Sequence, residues 1–93
     1  VEIEVRFSPR ALAGSHAGLD LDASSARYAD ALREAVARDF PGVIVRVVAD
    51  AELRSSPAVR VMGASSLESE RATERAVLDL AWVVKQCAPW SVP

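Results

Sequence analysis

Hydrophobic and polar positions alternate strictly at the start of the chain. Val1, Ile3, Val5 and Phe7 interleave with Glu2, Glu4 and Arg6, a period of two that predicts a strand with one buried and one wet face. Ser8-Pro9 closes it, and residues 10–23, with Gly14, His16 and Gly18, read as a loop. This loop is long for a small domain, so it is expected either to move freely or to fold onto the surface. The period then changes. Tyr28, Leu32, Ala35, Val36 and Phe40 recur at helical spacing and predict a helix over 25–40, capped by Ser24 or Ser25 and stopped by Pro41-Gly42. Val43 to Ala49 is a β-branched run, apolar on both faces except at Arg46, which suits a central strand. After a polar turn, Ala58 to Met62 alternates again. Ser65 and Glu68 have capping-box spacing, and a last helix is expected from about Ser66 to Cys87, ended by Pro89.

The element order is therefore β-α-β-β-α. A right-handed crossover places the first helix on one sheet face, and the second helix covers the rest of that face. The expected fold is an α+β two-layer sandwich, a three-stranded sheet with two helices on one side. Glu2, Glu4, Arg6, Ile44, Arg46, Val48, Arg60 and Met62 should line the open face, which suits either a solvated surface or a dimer contact.

Ninety-three residues make one domain, 1–93. An apolar fraction of 51% and a charged fraction of 26% are those of a globular chain. The net charge of −2 gives no drive toward nucleic acid, and no basic stripe with interleaved aromatics is present, so direct nucleic-acid binding is not expected. No apolar run reaches the length of a membrane span. The charged, alternating N-terminus is no signal peptide, and because the sequence opens on Val1 and not Met, one or more preceding residues are expected. Cys87 is the only cysteine, which excludes an internal disulfide, favours a cytoplasmic location and is read as a small buried hydrophobe. His16 lacks companions with ligand spacing and reads as an exposed loop residue. With no nucleophile–base set, no glycine-rich phosphate loop and no Cys/His cluster, neither an enzyme nor a cofactor is expected.

The last helix carries the functional signal. Its first half holds Glu68, Glu70 and Glu74 beside Arg71 and Arg75. This reads as a solvated, internally paired face or as an acidic docking ridge. Its second half is apolar from Ala76 to Val84 except for Asp79. Ala76, Leu80, Val83, Val84 and Cys87 suffice for a core stripe. That leaves Leu78 and Trp82 on its flank, either wrapped by the fold or in contact with another chain. Trp90, in the tail, stands in the same position.

Four features resemble the DinI-like (DNA-damage-inducible protein I) family of small bacterial and phage proteins. These are the opening Ile3-Glu4-Val5; a first helix with Ala29, Leu32 and Val36 that ends in Phe40-Pro41; the step Met62-Gly63-Ala64 into a capped helix; and Val77-Leu78 followed by Trp82 and later Trp90. The resemblance covers nearly the whole chain. It implies a βαββα fold and a non-enzymatic regulator that binds RecA and modulates its filament in the DNA-damage (SOS) response. It also implies docking through the acidic face of the last helix, here Glu68, Glu70, Glu74 and Asp79. Where the family helix stays acidic toward its end, this chain has Val83, Val84 and Lys85. A second reading is a phage or mobile-element effector of the same fold, which would bind a repressor or defence protein through Leu78, Trp82 and Trp90. A third is a module that homodimerises through its open sheet face.

Overall fold

Strand β1, Glu2–Phe7, has the strict alternation that the sequence leads one to expect: Ile3, Val5 and Phe7 are buried, and Arg6 is exposed. A computed structural model describes residues 1–14, 18–54, 57–87 and 90–92, with the side chain of Cys87 excepted. His16 and the burial of Cys87 therefore lie outside the described residues.

After β1 come α1 (Pro9–Ala13), α2 (Leu21–Asp39), β2 (Ile44–Ala49), β3 (Ala58–Met62) and α3 (Leu67–Cys87). The three strands form one mixed sheet in the order β2-β1-β3, with β1 parallel to β2 and antiparallel to β3. Helix α2 packs over β2 and α3 over β3, and the two helices pack against each other. The expected two-layer α+β sandwich is present, with the short α1 added between β1 and α2 of the βαββα order.

Three expectations need correction. First, β2 is an edge strand and β1 is the central one. The apolar residues of β2 on the open face, Ile44 and Val48, are exposed. In a two-layer fold even the central strand has a wet face, so the charges of β1 do not exclude it from the centre. Second, the segment after β1 is not all loop. Ser8 Oγ accepts from the Ala11 N–H, Pro9 opens the helix, and Leu12 and Ala13 are buried. Third, α2 starts four residues earlier than its hydrophobic stripe suggests. Its cap is Asp20, whose carboxylate accepts from the Ala23 N–H at 3.1 Å. Ser24 and Ser25 lie inside the helix and are buried.

The core joins Ile3, Val5, Phe7, Tyr28, Leu32, Val36, Val61, Val77, Ala81 and Val84. Trp90 belongs to it too, although it lies in the tail. Its ring meets Tyr28 edge-on at 6.3 Å, and Tyr28 meets Phe7 in the same way at 4.9 Å. The tail is pinned by backbone as well. The Asp20 N–H donates to Val92 O at 2.7 Å, and the Val92 N–H donates to Ser24 Oγ at 2.9 Å. The open sheet face has the expected composition. Register places Ile44, Glu2 and Met62 in one row and Arg46, Glu4 and Arg60 in the next. Glu2 pairs with Arg46 at 3.0 Å and Glu4 with Arg6 at 2.7 Å. The Arg6 hydrogen bond holds the Glu4 carboxyl below its ordinary value of 4.5.

Candidate functional site

Helix α3 opens at Ser66, one residue after the expected cap. Ser66 Oγ accepts from the Ser69 N–H at 3.1 Å, and Ser66 O accepts from the Glu70 N–H. Its buried stripe is also shifted by one position. Val77, Ala81 and Val84 are buried, Ala76 and Leu80 are partly buried, and Val83 is exposed. The stripe points at β3 and α2, where Tyr28 donates its hydroxyl proton to Ala81 O at 3.3 Å. Burial pushes the Tyr28 hydroxyl up to about 12.

This rotation decides what the helix presents outward. At about 100° per residue, Arg71, Arg75, Leu78 and Trp82 fall on one stripe, about 120° round the helix from the buried Val77, Ala81 and Val84. Leu78 is 39% and Trp82 65% exposed. Leu78 and Trp82, four residues apart, form an exposed apolar patch on a helix whose buried face is already supplied by Val77, Ala81 and Val84. Beside it lies a groove of about 410 Å³, lined by Tyr28, Pro57, Leu78, Asp79, Ala81, Trp82 and Lys85. The Lys85 ammonium donates to Ala11 O of α1 at 3.2 Å.

The acids do not form one ridge. Glu70 and Glu74 are partly buried on one flank of the outward stripe, whereas Glu68 and Asp79 are exposed on the other. Glu70 and Asp79 point about 180° apart around the helix axis. Among the described residues no ion pair joins Glu68, Glu70 or Glu74 to Arg71 or Arg75. Trp90 is 7% exposed and gives its indole N–H to Lys85 O at 2.9 Å. It is a core residue and offers no contact surface. Its role left no mark in the sequence, because nothing periodic links the tail to Tyr28, its aromatic neighbour. Of the residues singled out on sequence grounds, the fold thus brings Leu78 and Trp82 together on one surface, divides the four acids and withdraws Trp90.

Among the described residues no group of His, Cys, Asp and Glu could hold a metal ion, and no helix is long and apolar enough to cross a membrane. The chain matches no family model, no curated protein and no solved structure.

Proposed function

We propose that this protein is a non-enzymatic, cytoplasmic regulator that docks on a protein partner through the outer stripe of α3. The partner to which the DinI-like resemblance points is the RecA filament of the DNA-damage response. The observation that carries the docking surface is the exposure of Trp82 beside Leu78, since a large aromatic in a small apolar patch is the usual anchor of a protein interface. The βαββα order supports the resemblance. The acids at Glu68, Glu70, Glu74 and Asp79 serve as orienting charges on two flanks and not as a single mimic of a nucleic-acid backbone.

One observation favours the second reading, a phage or mobile-element effector that binds another host protein. Arg71 and Arg75 share the stripe with Leu78 and Trp82, so the anchor carries basic neighbours and fits an acidic partner surface. Co-sedimentation with RecA assembled on single-stranded DNA separates the two. RecA binding that falls at least about 30-fold in a folded Trp82→Ala variant, and only a few-fold in Glu70→Ala/Glu74→Ala, supports the first reading. No binding to the filament removes RecA as the partner. Binding lost in the double acid variant and kept in Trp82→Ala refutes the apolar anchor.

A further inference from the structure

The open edge of β2 presents a second surface, unrelated to α3. The Ile44 and Asp50 N–H groups donate to Val1 O and Phe7 O, at 3.2 and 2.8 Å. Backbone direction alternates along a strand, so Ile44, Arg46 and Val48 turn their peptide groups toward β1. Val45, Val47 and Ala49 turn theirs away, and among the described residues nothing pairs with them. Edge strands are usually blunted by proline, by several charges, or by a covering element. The β3 edge has Pro57 at its entrance and the exposed Arg60. Strand β2 has no proline and one charge in six residues, and Ile44 and Val48 beside its edge are 61% and 41% exposed.

We propose that the chain forms a two-fold homodimer in which β2 pairs antiparallel with β2 of a second copy, joining the two sheets into one of six strands. Charge selects the register. Centring the pair on Arg46 would set two guanidinium groups face to face, which is unfavourable. Centring it on Val48 sets Arg46 opposite Asp50 of the second copy and Asp50 opposite its Arg46. Both side chains lie on the open face, where Asp50 already accepts from Arg6 at 3.4 Å. In that register Val47 and Ala49 exchange their outward N–H and C=O groups with Ala49 and Val47 of the second copy, and the two Val48 side chains meet at the axis. The two-fold runs perpendicular to the sheet, so all helices stay on one side. Helix α3 packs over β3, at the far edge, and Leu78 and Trp82 stay free.

Sedimentation velocity from about 1 μM to about 1 mM tests this, a range that spans weak to moderate affinities. The wild type is expected to pass from monomer to dimer. Ala49→Pro removes an outward donor while leaving the ladder to β1 intact, and should weaken the dimer by about tenfold or more. Val48→Lys places two ammonium groups at the axis and should leave a monomer with an unchanged far-ultraviolet circular dichroism spectrum. This variant carries the test if Ala49→Pro does not fold. Arg46→Asp should weaken the dimer, and Arg46→Asp/Asp50→Arg should restore it. A wild type that stays monomeric throughout overturns the proposal. So does a dimer that survives Val48→Lys and dissociates in Trp82→Ala, which would place the contact on α3.

Discussion

Replacing Trp90 should cost more stability than any other change outside the strands and helices. The side chain is 7% exposed, its ring packs on Tyr28, and its indole N–H caps α3 through Lys85 O. Truncating a buried Trp to Ala costs about 3–5 kcal/mol through lost burial and the cavity left behind. The Trp90→Phe variant isolates the polar part. It keeps an aromatic ring against Tyr28 and loses the hydrogen bond, for about 0.5–1.5 kcal/mol. A domain of this size has a total stability of roughly 5–14 kcal/mol, so the Ala variant should lose a large share of it. Urea denaturation followed by far-ultraviolet circular dichroism measures both variants, with the midpoint falling at constant slope if only stability changes. A Trp90→Ala loss below about 1 kcal/mol would mean that the tail does not hold the core together, and would return Trp90 to the pool of candidate contact residues.

Two further predictions concern single groups. Tyr28 is the only tyrosine, so phenolate absorbance reports it alone. It should titrate near 12 in the folded protein, against an ordinary value of 10. Because the folded value is raised, its contribution, about 1–2 kcal/mol, is intact below pH 10 and lost as pH rises toward 12. Titration at the ordinary value with the fold intact would contradict its burial. Gly63 has φ +81° at the exit from β3, and an added Cβ would touch the Val1 backbone at 3.4 Å. Gly63→Ala should therefore cost about 1–2 kcal/mol in denaturation, and an unchanged or raised midpoint would show that the turn relaxes without penalty.

Local pattern made much of this fold legible. The alternation of β1 and the stripe Tyr28, Leu32 and Val36 on α2 are short-range signals, and both locate their buried faces correctly. The errors arise where a decision depends on distant chain. The run around β2 suggests a central strand, yet strand order follows from the connections, and the wet face of β1 is tolerated because Arg46 and Arg60 flank Glu4. Rotating the apolar half of α3 by a single residue exchanges Val83 for Val77 in the core. The all-round apolar composition of that half could not fix the rotation; packing against Tyr28 and β3 does. The same composition is compatible with Leu78 and Trp82 on either side of the helix, and the packing of Val77 and Ala81 turns both outward. The short helix α1 had a readable start in Ser8-Pro9, but five residues carry too little periodicity to be recognised.

The placement of β1 also sets the order in which the domain can assemble. Within this domain the earliest strand is the one that needs partners on both sides, and its neighbours β2 and β3 follow about 40 and 55 residues later. The contacts of Trp90 and Val92 with Lys85, Asp20 and Ser24 need residues from the opposite end of the described chain. A nascent chain cannot close its core in stages, and the strand with the most apolar side chains to hide waits longest for cover. Such a domain closes its core only once synthesis has passed Val92. A ribosome paused between β2 and α3 would expose Ile3, Val5 and Phe7 to chaperones or to other nascent chains.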